Sequence, residues 1–200
     1  MPSPIDDLLA QIAHLERALE TEFGHARDRW RYRIEAGRVR FERDVYLAHR
    51  RLKQSIPSFV RESEPINLLS APVIYSLIVP IALVDLWITI YQAICFRLYG
   101  IARVRRSGYI VIDRQHLAYL NAIEKLNCMY CGYANGVLAY VREIAARTEQ
   151  YWCPIRHAKR TRGSHAHYRE FVDYGDAEEY KRQLPILRAE LNREADANDS

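Results

Sequence analysis

Recognisable catalytic signatures are absent from this sequence. It contains no P-loop, no G-x-G-x-x-G turn and no Ser/His/Asp arrangement. It also does not open with a basic region, an apolar core and a small-residue cleavage site, so we expect no secretory signal and a cytoplasmic N-terminus. The sequence therefore favours a structural or interaction role over an enzymatic one, and it defines no reaction.

The sequence also lacks a large excess of one charge, and it contains few cysteines. The 200 residues include 29 Lys and Arg against 25 Asp and Glu, a formal charge of +4. So small an excess is compatible with anionic lipid or nucleic acid and requires neither. The four cysteines, in a reducing cytosol, are expected to be thiols or metal ligands rather than disulfides.

One long stretch is almost free of charge, since Asp85 is the only charged residue between Glu64 and Arg97. A hydrocarbon core about 30 Å thick needs about 20 apolar residues in a helix, and residues 72–96 exceed that length. Pro80 should kink such a helix, and Asp85 would need a partner inside lipid. The composition therefore predicts a membrane segment that is not a straight, simple span.

The flanks of this segment predict its topology. The N-terminal side is rich in arginine and the C-terminal side carries Arg97, Arg103, Arg105 and Arg106. Because cytoplasmic loops are enriched in Lys and Arg, both ends are expected on the cytoplasmic side of the inner membrane. We therefore predict a re-entrant hairpin bent near Pro80, with a single span and a soluble core as alternatives.

The N-terminal 62 residues have helical periodicity. Apolar residues recur every three or four positions with charges between them: Leu8, Ile12, Leu15, Leu19, Phe23, Ala26, Trp30, Ile34, Phe41, Val45, Ala48 and Leu52. We predict a long amphipathic helix or a helical hairpin, with a bend near Gly24 or Gly37. Such a coiled-coil-like arm would bind a second copy or a protein partner, or else pack on the rest of the chain.

A C-x2-C-x21-C-x3-H pattern gathers three of the cysteines and one histidine, at Cys128, Cys131, Cys153 and His157. Thiolate and imidazole ligands in this number favour one tetrahedral, structural zinc ion. The spacer is the main objection, because a helix of about 15 residues starting at Asn135 rises roughly 22 Å. The four ligands can meet only if the helix is short and loops lead back at both ends.

Two other functions remain open at this stage. Cys128 and Cys131 could form a thiol–disulfide redox pair, although they follow a predicted helix that starts near Asp113 instead of opening one. A basic run after the cysteines would suit an RNA-binding zinc module or, in our preferred interpretation, anionic lipid; its cations include Arg156, Lys159, Arg160 and Arg162. Nucleic acid is the less favoured of these partners.

The segments Cys128–Gly136 and Arg147–His157, a CxxC…WCPIxH motif, resemble a family of uncharacterised bacterial membrane-associated proteins. The resemblance covers about residues 65–160 and implies a membrane location without an activity. We thus expect a mainly α-helical protein with four parts: an arm (1–62), an apolar membrane segment (63–100), a zinc-binding helical domain (101–175), and a final helix with a disordered tail (176–200).

Overall fold

The computed structural model describes residues 4–35, 38–159 and 161–198. The prediction of a mainly helical chain is confirmed. The chain forms two compact units, Met1–Ser63 with Asp113–Met129, and Glu64–Ile112 with Tyr130–Ser200. The main elements, in order, are α1 (Pro4–Trp30), β1 (Tyr32–Glu35), β2 (Arg38–Phe41), α2 (Arg43–Arg51), α3 (Ile56–Glu62), α4 (Pro65–Ser76), α5 (Ile78–Tyr91), α6 (Arg97–Tyr99), α7 (Ala122–Trp152) and α8 (Ala177–Asn198).

In the first unit, α1 is the predicted N-terminal helix, but helix does not continue to residue 56. Arg31 adopts a left-handed conformation with φ of 52°, which ends α1, and an antiparallel hairpin follows. The hairpin pairs Tyr32 with Phe41 and Ile34 with Val39. Spacings of two along each strand suit a sheet, whereas the wider spacing from Trp30 to Ile34 to Phe41 had suggested a helix. Gly37, a predicted bend, lies outside the described residues.

The first unit is held by a chain of ring contacts. The His49 ring meets Phe41 at 5.2 Å and Tyr119 at 5.3 Å between centroids, both edge to face. Asn121 then caps α7, since its side-chain oxygen accepts from the backbone N–H groups of Ile123 and Glu124. The Glu124 carboxylate accepts from the Asn121 N–H in return, which completes a capping box.

The second unit contains the apolar segment as one run of helix, Pro65–Tyr99. It includes α4, α5, a π-helical turn at Gln92–Phe96, and α6. The expected irregularity falls at Leu77, between α4 and α5, because Pro80 has no N–H to donate to the carbonyl of Ser76 one turn earlier. The chain does not fold back at this point, so the structure has a kinked helix where a hairpin was predicted.

An extended segment, Ile101–Ile112, which we call the strap, returns alongside this helix and leads back towards α7. Gly100, with φ of 68°, lets the chain leave α6. The core of the unit joins the apolar helix, the strap, α7 and α8 through the following buried side chains: Phe96, Ile101, Val104, Tyr140, Ile144 and Leu191.

The strap lies directly on two glycines of α7. A Cβ atom built at Gly136 would stand 2.8 Å from both the Ile110 Cα and the Tyr109 carbonyl oxygen, and one at Gly132 would stand 3.2 Å from the Val111 oxygen. The G-x-x-x-G spacing places both glycines on one face of α7. The strap backbone packs against that face.

We predict that Gly136→Ala destabilises the protein by about 1–3 kcal/mol, since a backbone contact must move to admit the methyl group. Gly24→Ala is the matched control: Gly24 also lies inside a helix but has nothing within 4 Å of its built Cβ, so it should gain up to about 1 kcal/mol from helix propensity. Thermal unfolding in detergent measures both. Equal effects at the two positions would contradict the strap contact.

Candidate functional site

The first candidate site is the surface of the apolar helix. Its residues are mostly exposed although the helix is as apolar as a membrane span. In its most apolar 18-residue window the mean hydropathy is 2.2 and 6% of the residues are buried. The exposed large side chains of its first 20 residues include Ile66, Leu68, Leu69, Val73, Ile74, Leu77, Val79, Leu83 and Val84. Contiguous apolar surface of this kind marks contact with a membrane or another protein.

Asp85 divides this helix into two parts. From Pro65 to Val84 no residue is charged and side chains are exposed around most of the circumference. Tyr130 of α7 touches this first part, since its hydroxyl donates to the Ile74 carbonyl at 2.8 Å and its ring meets Tyr75. From Asp85 onward one face is buried, at Asp85, Gln92 and Phe96. The outer face of this second part stays apolar and exposed at Leu86, Trp87, Ile90, Ile94 and Leu98.

The Asp85 carboxylate, which the sequence analysis identified as needing a partner, accepts three hydrogen bonds from two residues. Arg106 of the strap donates from Nε at 3.0 Å and from Nη2 at 2.6 Å, and the Tyr133 hydroxyl donates at 2.9 Å. A bidentate guanidinium satisfies both oxygens of a carboxylate. The buried charge is therefore neutralised where the strap crosses the helix.

Gln92 makes the next crossing contact. Its amide accepts from the Val104 N–H at 3.0 Å, donates to the Val104 carbonyl at 3.3 Å, and also donates to the Tyr140 hydroxyl. Both buried polar side chains of the helix thus face the strap and α7 and not the exposed apolar side. This segregation indicates that the outer face meets an apolar environment.

The predicted metal ligands are not brought together. Cys128 and Cys131 lie inside α7, and Cys153 follows its last residue. Because α7 is continuous, 22 residues of helix geometry place Cys131 and Cys153 roughly 33 Å apart. The short helix that the four-ligand site requires is therefore replaced by a long one, capped at Asn121 and not at Asn135.

Among the described residues, no group of three or more His, Cys, Asp and Glu side chains could hold a metal ion. All four cysteines are free thiols. Burial, with the nearby Glu149 carboxylate adding to it, raises the pKa of Cys153, which favours its protonated form. A zinc ion bound by Cys128, Cys131, Cys153 and His157 stays a prediction, and it requires α7 to break.

The loop after α7 is held to that helix by two carboxylate–imidazole pairs. His165 Nε2 lies 2.9 Å from Glu149 Oε2, and His167 Nε2 lies 3.3 Å from Glu143 Oε1. Glu143 also pairs with Arg147 at 2.9 Å, the i,i+4 contact expected from the sequence. Sequence reasoning included both histidines in the basic run after the cysteines and missed their carboxylate partners. His165 directly precedes a 3-10 turn, Ala166–Glu170, that contains His167.

The outer side of this loop forms an open basic cleft of about 1150 Å³. Cations and hydroxyls line it: Arg156, His157, Lys159, Arg162, Ser164 and Tyr168. Arg160, which was grouped with these cations, lies outside the described residues. The Arg156 guanidinium is partly occupied, since it pairs with Asp173 at 2.8 Å. The cleft has the charge to attract an anion.

We predict that the Glu143 pairs produce acid-sensitive stability. The His167 hydrogen bond, and then Arg147, lower the pKa of Glu143 from 4.5 to about 2. Because the folded-state pKa is the lower one, the carboxylate stabilises the folded state above pH 4.5, by at most about 3 kcal/mol, and this is lost as pH falls towards 2.

The difference in unfolding free energy between wild type and Glu143→Gln should therefore be largest above pH 4.5 and shrink towards pH 2. Chemical denaturation followed by tryptophan fluorescence measures it. The exposed Glu178→Gln serves as control, and a pH-independent difference for Glu143→Gln would refute the assignment.

Comparison with protein-family models, with curated proteins and with solved structures finds no match for this chain.

Proposed function

We propose that this protein is attached to a membrane through Pro65–Val84 and acts there as a structural or interaction protein. The observation that carries the proposal is a run of 20 consecutive uncharged helical residues of which none is buried and most are exposed. Twenty helical residues rise about 30 Å, the thickness of the hydrocarbon core. A helix that is apolar around its circumference is expected in a protein core or in lipid, and this one is not buried.

Asp85 marks the proposed boundary of the lipid-embedded part. Beyond it the helix is flanked by the strap and α7, which bring the charged side chains of Arg106, Glu143 and Arg147. Charged groups are expensive in hydrocarbon, costing about 2.5–3.5 kcal/mol each on insertion scales. Asp85–Tyr99 is therefore placed outside the hydrocarbon, with its exposed Trp87 and neighbouring apolar residues towards the bilayer surface.

We place the C-terminal part on the cytoplasmic side of the inner membrane. Arg97, Arg103 and Arg105 follow the helix directly, and basic residues within about 15–20 positions of a membrane segment favour the cytoplasm. Four free thiols also suit a reducing compartment. Contact of the basic cleft with anionic headgroups is the interaction that its cations support, at about 1 kcal/mol for each cation near the surface.

A thiol–disulfide role is the second candidate. Cys128 and Cys131 lie one turn apart in α7, where helix geometry separates Cα atoms three residues apart by about 5 Å, within the range of a disulfide. Zinc content of protein purified without chelators separates this candidate from the structural zinc site.

Replacing two exposed side chains, Val73 and Leu83, by lysine tests membrane attachment. The double variant Val73→Lys/Leu83→Lys adds about 5 kcal/mol or more to the cost of insertion. We expect most of it to leave the membrane fraction after a carbonate wash, whereas the wild type stays.

The matched control is Val111→Lys/Leu138→Lys, which makes the same two replacements at similarly exposed positions on the strap and α7. This control should remain in the membrane fraction. The proposal is wrong if the wild type is recovered without detergent, or if the two double variants partition alike.

A further inference from the structure

The loop that follows α7 closes on itself around the basic cleft. At its base the Arg156 N–H donates to the Val172 carbonyl at 2.8 Å, and the Val172 N–H donates to the Pro154 carbonyl at 2.9 Å. Further along the loop, the His157 N–H donates to the Tyr168 hydroxyl at 2.7 Å, and the two rings stack with centroids 6.2 Å apart. Backbone and side-chain contacts thus hold the lining residues in place.

The same loop is also fastened to α7. Its two imidazole–carboxylate pairs hold it there, and Arg142 of α7 donates to the Gly163 carbonyl oxygen. Gly163 has φ of 69°, a left-handed conformation that glycine adopts readily. Ser164 and Tyr168 lie directly before and after the docked histidine segment, and both line the cleft. This wall of the cleft is therefore a docked segment of the chain.

The permanent charges of the cleft include two cations without a carboxylate partner. Three cations line it, namely Arg156, Lys159 and Arg162. Arg156 pairs with Asp173, the one carboxylate among the described lining residues. Lys159 and Arg162 are exposed, and neither forms an ion pair within the part of the chain that the structure describes. Two positive charges are thus free to meet a ligand.

Neutral hydrogen-bond donors complete the lining. Thr161 and Ser164 bring hydroxyl groups that can donate to a ligand oxygen. The Tyr168 hydroxyl accepts from the His157 N–H, so its own hydrogen can be donated into the cleft. The volume of about 1150 Å³ leaves room beside a phosphate group for the organic part of an ester.

From this set of charges and donors, we propose that the cleft binds a phosphate monoester. Such a group carries about two negative charges at neutral pH and has three strong acceptor oxygens. Two negative charges match the two unpaired cations: the Arg162 guanidinium can bind two oxygens at once, and Lys159 supplies a point charge. A carboxylate or a phosphate diester brings one negative charge and leaves one cation uncompensated.

This inference rests on the contact between the cleft and anionic headgroups proposed above, and it names the class of anion. A lipid with a monoester headgroup and a soluble phosphate ester present the same group to the cleft. The preference for a monoester over a diester is the property that separates a phosphate site from general attraction between a basic surface and anions.

Isothermal titration calorimetry on the full chain in nonionic detergent measures this preference. The soluble probes are glycerol phosphate, a monoester, and glycerophosphoglycerol, a diester. Short-chain phosphatidic acid and phosphatidylglycerol, added to the same micelles, are the corresponding lipid probes. We expect one monoester bound per chain, about tenfold more tightly than the matching diester, because the second negative charge meets a second cation.

The same titrations identify the source of the ligand. Tighter binding of phosphatidic acid than of glycerol phosphate assigns the site to a lipid headgroup, and binding of glycerol phosphate at least as tight assigns it to a soluble ester. Diesters that bind as tightly as monoesters would overturn the monoester site and leave headgroup contact standing. Binding of neither monoester would overturn both, whereas membrane attachment is reported separately by the carbonate wash.

Substitution of the two unpaired cations locates the binding. Lys159→Gln and Arg162→Gln should each lower the affinity for the monoester about tenfold, since each removes a charge-assisted hydrogen bond. Lys181→Gln is the matched control, because Lys181 is an exposed lysine of the same unit that does not line the cleft. An affinity unchanged in the double variant Lys159→Gln/Arg162→Gln, or lowered equally by Lys181→Gln, would overturn the proposal.

Discussion

The helix Pro65–Tyr99, whose most apolar 18-residue window has mean hydropathy 2.2, needs an apolar environment, and the second unit is arranged around this requirement. Tyr130 of α7 touches it at Ile74 and Tyr75, but its residues become buried only from Asp85 onward, where Asp85 and Gln92 turn inward to the strap and α7. Removing Arg106 would leave a buried carboxylate without its main partner, a change that typically costs several kcal/mol. The ion pair thus marks the point from which residues of the helix are buried against the rest of the unit.

The strap links the apolar helix to α7, because it contacts both. It contacts the apolar helix through Arg106 and Val104, and it contacts α7 at Gly132 and Gly136, where a side chain would collide with its backbone. Further along α7, Glu143 and Glu149 dock the histidine loop and so shape the basic cleft. The exposed apolar helix and the basic cleft are therefore parts of the same packed unit.

The elements that sequence reasoning predicted correctly depend on local composition. The apolar segment follows from its lack of charge, and α8 and the Glu143–Arg147 pair follow from helical spacing. Its errors concern contacts between distant residues. The hairpin after Arg31 was missed because spacings of four and seven also fit a helix, and the hairpin near Pro80 was predicted because a proline break does not specify how far a helix bends. The strap contacts α7 at Gly136 from 26 residues earlier in the chain, and the histidine pairs join residues 16 and 24 positions apart.

Carbene photolabelling from a lipid-soluble reagent tests the membrane assignment most directly. Cleavage after Arg61 and Arg97 by trypsin, and before Asp85 by an Asp-specific protease, yields separate peptides for the two parts of the apolar helix. The account predicts dense labelling of residues 62–84, labelling of 85–97 only on the outer face that includes Trp87, and little on α7. Residues 62–84 labelled no more than α7 would contradict it.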